Sequence, residues 1–163
     1  MHFITGLSKS KKQNDSIFVV IDKLSKAAHF IPMKSTYKEV KITDIFLKEI
    51  FRLHGIPKAI ISDRDTKFID KFWRSLFSRL EMQLKFSTSY IPQMDGHIER
   101  VNQIFEHMLR RYVMKNPTKW EDYLHLIEFA YNNKYQASAK MNPFKVLYGW
   151  KCWTPVTWDS IVD

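Results

Sequence analysis

The chain has 163 residues, 45% hydrophobic and 26% charged, which suits one soluble domain with room for a core. It has no apolar run near the ~18–20 residues that span a bilayer and no signal-like start, so neither a membrane nor a secretory role is expected. Lys and Arg number 26 against 17 Asp and Glu, and the net charge of +9 favours polyanionic partners, nucleic acid first. One cysteine, Cys152, excludes an internal disulfide and a Cys-rich zinc module. An intracellular, reducing setting follows as the default.

The first third has strand character. Phe3-Ile4 opens a strand, entered abruptly, as if the first strand were cut short at its N-terminal side. The polar stretch Ser8 to Asp15 predicts a hairpin turn. Ser16 to Ile21 is β-branched and apolar, as a buried central strand requires. Ala27 to Pro32 is a third strand, closed by its proline.

The spacing then turns helical. Thr36 and Glu39 are placed as a capping box, and Ile42, Ile45, Phe46, Ile50 and Leu53 follow on one face up to Gly55 and Pro57. Lys58 to Ser62 predicts a short strand, and Phe68, Phe72, Trp73, Leu76, Phe77 and Leu80 mark a second helix. Leu84 to Ser87 suggests a last strand. Beyond Pro92 the pattern is helical throughout: a long helix through Ile98, Val101, Phe105 and Tyr112, a break at Asn116-Pro117, a helix from Trp120 to Tyr131, and a short one from Pro143 to Tyr148. This order predicts an α/β fold, a mixed five-stranded sheet of three antiparallel strands followed by β-α-β, flanked by helices.

Two carboxylates stand out by place. Asp63 lies just past the strand at 58–62, and strand carboxyl ends are where chemistry gathers in α/β sheets. Glu99 lies one turn into the long helix, opposite its apolar stripe, with Asp95 and Asn102 near it, and 35 residues separate Asp63 from Glu99. Carboxylates converging from a strand end and a helix suit Mg²⁺, and paired ions serve phosphoryl transfer. Taken singly, Asp63 is equally a turn former and Glu99 a solvated helix residue. The histidines His29, His54, His97, His107 and His125 have no spacing typical of a zinc ligand set, and no zinc is expected.

Several blocks then narrow the choice. Ser62-Asp63-Arg64-Asp65-x-x-Phe68, Tyr90-x-Pro92-Gln93-x-Asp95-Gly96-x-x-Glu99-Arg100-Val101-Asn102, Glu128-Phe129-Ala130-Tyr131-Asn132-Asn133 and Met141-x-Pro143-Phe144-x-x-Leu147-Tyr148-Gly149 stand in that order. Together with Ile50 to Pro57, they resemble the integrase catalytic core of gypsy-type LTR retrotransposons, within the retroviral-integrase superfamily. The resemblance covers Phe3 to about Pro155, so a core at 1–155 and a tail at 156–163 are expected.

That resemblance implies an RNase H-like fold and an Asp, Asp, Glu triad working with Mg²⁺ or Mn²⁺ in DNA strand transfer. Asp63 matches the second aspartate and Glu99 the glutamate, both as metal ligands, while His2 stands where the family has its first aspartate. Imidazole suits zinc or copper better than Mg²⁺. The two-ion site is therefore expected to be weakened and strand transfer impaired; Asp22, ending the neighbouring strand, is a distant candidate for rescue. Ile91 replaces the usual histidine, and Met94-Asp95-Gly96-His97-Ile98-Glu99 departs from the usual run, as in a decaying element copy.

The resemblance also implies DNA as partner, both element ends and target. Arg64, Lys67, Tyr90, Gln93, Arg100 and Asn102 are the candidate contacts, with Arg110, Arg111 and Lys115 further down the long helix. A homodimer through helices is a further implication, with the aromatic 120–131 helix as a candidate face, though packing within the monomer explains its stripe equally well, and the nucleus is the place of action on chromosomal DNA. The alternative is a non-catalytic nucleic-acid-binding or interaction remnant, which His2 favours. A general nuclease on the same fold is disfavoured by the 90–102 block.

Overall fold

The computed structural model describes residues 1–80 and 116–154. The expected strand at 84–87 and the long helix carrying Glu99 lie outside the described residues. Three strands, β1 (His2–Ile4), β2 (Ser16–Ile21) and β3 (Ala28–Met33), form an antiparallel sheet in the order β1-β2-β3. Val19 is the partner of both His2 and Phe30 in the register. Pro32 does not close β3 but pairs with Ile17 inside it. Among the described residues β3 is an edge strand, where a residue without N–H costs no ladder bond on its open side.

One face of the sheet is covered by α1 (Glu39–Phe46) and α3 (Thr66–Arg79). Phe3, Phe18 and Met33 point into this layer and meet Ile42, Phe46, Ile50, Phe72 and Leu76. Phe46 and Phe72 meet edge to face at 5.3 Å, a favoured aromatic geometry. The capping box does not form: Tyr37 N–H bonds Lys34 O at 3.0 Å in a turn, so the helix is entered at Lys38, which makes no side-chain cap bond. Past α1 the chain widens into a π-helical turn, Leu47–Phe51, before the short α2 (Arg52–His54). The wider turn rotates the residues of α2, and Leu53, expected in the core, is 51% exposed.

The segment Lys58–Ser62 is not a strand. Ile61 O accepts one hydrogen bond from the Met1 amino group, so this stretch lies alongside β1, but one bond is not a ladder. Helix α3 then starts on Asp65, whose Oδ1 accepts the Phe68 N–H at 2.8 Å. Asp65→Ala is expected to cost about 1 kcal/mol of stability, the usual loss for an N-cap, read as a lowered urea midpoint.

The other sheet face belongs to α4 (Trp120–Asn132), entered through a 3₁₀ turn at Pro117–Lys119. Trp120, Leu124, Ile127 and Tyr131 pack on Ile17, Val19, Ala28 and Phe30. Those four helix residues are packed inside the monomer, while Leu126 and Phe129 of the same helix remain exposed. Polar bonds fix the helix: Trp120 Nε1 donates to Ser8 O at 2.7 Å, and the Asn132 amide bonds both N–H and C=O of Ala28 at 2.8 Å each. The last described helix is α5 (Pro143–Tyr148), closed by Gly149 at φ +85°, where left-handed backbone favours glycine. No helix among the described residues is long and apolar enough to cross a membrane.

Candidate functional site

Antiparallel pairing of β1 with β2, and the run of residues 60–63 along the free side of β1, bring the opening strand against Asp63. The Phe3 N–H donates to Asp63 Oδ2 at 3.2 Å. Positions 2 and 63, distant in sequence, are thereby neighbours. Alternation along β1 sends Phe3 to the α1/α3 layer, and His2 takes the opposite side. There the imidazole lines a cavity of about 860 Å³ with Val20, Ile60, Tyr131 and Gln136.

His2 is 1% exposed, and its Nε2 is buried without a hydrogen-bond partner. Burial pushes its pKa down to about 4; the Asp63 carboxylate opposes that shift and the Met1 amino group adds to it. The ring is therefore neutral near pH 7. Asp22 is engaged by Ser25: its Oδ2 accepts from Ser25 N and Oγ at 2.7 Å each, and its charge is felt by His54.

Arg64 does not turn to Asp63. Its guanidinium lies over the Phe3 ring, 4.7 Å from the centroid, a cation–π arrangement. Its backbone N–H bonds Ser62 Oγ at 3.2 Å, which shapes the loop. Lys67 is exposed in the first turn of α3, on the same stretch as Arg64. Glu99, Tyr90, Gln93, Arg100 and Asn102 lie outside the described residues.

No protein-family model matches the chain. The chain is 34% identical over 148 residues to the transposon Tf2-3 and Tf2-4 polyproteins of Schizosaccharomyces pombe. The match covers 91% of the chain but 11% of either polyprotein, so the chain spans about a tenth of those relatives. Among solved structures, the integrase catalytic core domain of HTLV-2, in complex with magnesium in its trimeric form, superposes with a TM-score of 0.61 at 18% identity. That match covers 89% of this chain and 93% of that one. The chain has the RNase H-like fold of these integrase cores. The simian T-cell lymphotropic virus intasome, solved with the PP2A regulatory subunit B56 gamma, agrees on the fold, with a TM-score of 0.64 at 18% identity over 94% of this chain and 55% of that one.

The described residues alone do not complete a two-magnesium site. Mg²⁺ takes oxygen ligands in a tight octahedron. Here Asp63 brings one carboxylate, already accepting a backbone N–H, beside a neutral imidazole with an unmatched nitrogen. Among the described residues no group of three or more His, Cys, Asp or Glu side chains is placed to hold a metal ion.

A second polar cluster, absent from the sequence-based expectations, lies across the sheet on β3, where His29 pairs with Val20 and lines the same cavity as His2. His29 Nε2 stands 2.9 Å from His54 Nε2 across a separation of 25 residues. Glu128 of α4 places Oε1 3.3 Å from His29 Nδ1 while its Oε2 accepts the Phe30 N–H at 2.8 Å. Neither local spacing nor composition pairs a strand histidine with one at a helix end; only the tertiary fold does.

Proposed function

We propose that this chain is the core of a gypsy-type retrotransposon integrase in which DNA strand transfer is impaired and nucleic-acid binding is retained. The observation that carries the reading is the neighbourhood of position 2 and Asp63, joined through the Phe3 N–H bond at 3.2 Å. A carboxylate at position 2 would share a cation with Asp63, the role the family resemblance gives it. The imidazole there offers one nitrogen in place of anionic oxygens and leaves Asp63 alone. Glu99 is the third member by that resemblance, and Mg²⁺ or Mn²⁺ the cation. The orphaned Nε2 of His2 favours, within this reading, a chain that keeps the fold without the reaction.

The net charge of +9 supports DNA as the partner, element ends and target alike. Arg64 and Lys67 are proposed as phosphate contacts on the described side of the site, with Arg100, Tyr90, Gln93 and Asn102 completing the set. The core is taken as 1–155, with 156–163 a tail. Action on chromosomal DNA places it in the nucleus, and a homodimer is the proposed assembly, through a face other than the buried stripe of α4.

The test is DNA binding measured against salt. Binding strength on a duplex should fall linearly on a log–log scale, and Arg64→Ala with Lys67→Ala should reduce the slope by about 2, roughly one for each phosphate no longer neutralised. A slope unchanged by the double substitution would remove both residues from the interface, and binding indifferent to salt would end the nucleic-acid reading.

A further inference from the structure

We infer that His29 and His54 form a cation site, separate from the Asp63 carboxylate, for a late first-row transition ion of the zinc class. The inference rests on the juxtaposition of the two rings, whose Nε2 atoms stand 2.9 Å apart. Two imidazole nitrogens bound to one tetrahedral zinc at about 2.0–2.1 Å each sit roughly 3.3 Å from one another. Opening the pair by a few tenths of an ångström would therefore admit the ion. His54 is exposed at the end of α2, so that movement needs no repacking of the core.

Glu128 supplies the outer support that such sites use. Its Oε1, 3.3 Å from His29 Nδ1, favours a proton on that nitrogen. The Nε2 lone pair of His29 is then the free one, turned toward His54. Without an ion, His54 fills the gap by donating its own Nε2–H; with one, the neutral ring carries its proton on Nδ1 instead, and both lone pairs face the metal. The carboxylate itself is held by the Phe30 N–H, so ring and support share β3 as a base. Burial and the nearby His29 depress the His54 pKa, with Asp22 opposing, which keeps the ring neutral as a ligand must be.

Two imidazoles leave the remaining positions to water. Both histidines line open clefts, of about 1090 and 860 Å³, through which solvent reaches them. Nitrogen ligands select zinc, nickel or copper over Mg²⁺. This site therefore does not substitute for magnesium chemistry at Asp63, and its existence does not depend on that chemistry.

The experiment is a calorimetric titration of the full chain with Zn²⁺ in excess Mg²⁺, repeated for His54→Ala, Glu128→Gln and His2→Asp. The expected result is one equivalent that Mg²⁺ does not displace, weakened at least tenfold in His54→Ala, weakened about 10–100-fold in Glu128→Gln, and preserved in His2→Asp. Nitrogen-15 spectra of the imidazoles, recorded on the unsubstituted chain, should show Nε2 of both rings shifting together at one equivalent. Absence of zinc binding, or zinc binding unchanged in His54→Ala with no shift at His29 and His54, would overturn the assignment.

Discussion

Substituting His2→Asp should raise Mg²⁺-dependent joining of element-end DNA into a target by about 10²–10³-fold over the unsubstituted chain. The figure follows from the several kcal/mol that metal-borne charge stabilisation contributes in phosphoryl transfer, at tenfold per 1.36 kcal/mol. The site is prepared for the change. Position 2 already stands beside the Asp63 carboxylate, because Phe3, its neighbour on β1, donates to Asp63 Oδ2 at 3.2 Å. An aspartate adds a second acid at that place without moving the strand. Its own repulsion with Asp63 should make the variant less stable than its parent in chelator and should recover stability with Mg²⁺. Joining activity equal in the two proteins would remove His2 as the cause of impairment.

The second large effect concerns acid stability. His2 is neutral when folded, with a pKa near 4, whereas an unfolded histidine takes up its proton near 6.5. Between those values the unfolded chain binds more protons than the folded one. Stability contributed by the neutral buried ring is therefore complete above about pH 6.5, is lost as the pH falls towards 4, and changes no further below. The loss reaches about 3 kcal/mol, a large part of an ordinary domain's stability. Urea unfolding at pH 7 and pH 4.5 should show this difference in the parent chain and a difference smaller by about 2–3 kcal/mol in His2→Leu. An identical pH difference in both would show that the ring titrates as if in water.

Much of this architecture is legible in the chain. The β-branched run Ser16–Ile21 forms the middle strand, since residues buried on both faces leave little else for it to do. Helices α3 and α4 follow the stripes that place Phe72, Leu76, Trp120 and Ile127 at helical spacing. The departures share one cause, local signals overruled by neighbours. Thr36 and Glu39 have capping-box spacing, yet the Lys34–Tyr37 turn moves the helix start past Thr36. Leu53 has core spacing, yet the π turn at Leu47–Phe51 rotates it outward. Residues 58–62 read as a strand but show one bond to Met1 in place of a ladder.

The candidate site divides in the same way. That Asp63 follows an extended segment is visible in sequence; that it captures the Phe3 N–H, and leaves His2 with an unmatched nitrogen, is a property of the packed sheet. The pairing of His29 with His54 and Glu128 joins β3, α2 and α4, and no local pattern encodes it.

The most direct measurement is calorimetric titration of Mg²⁺ into the parent chain, His2→Asp, and His2→Asp combined with Asp63→Asn. The expected result is no resolvable binding in the parent, binding in His2→Asp, and its loss when Asp63→Asn is added. Magnesium bound by the parent chain as tightly as by His2→Asp would contradict the account.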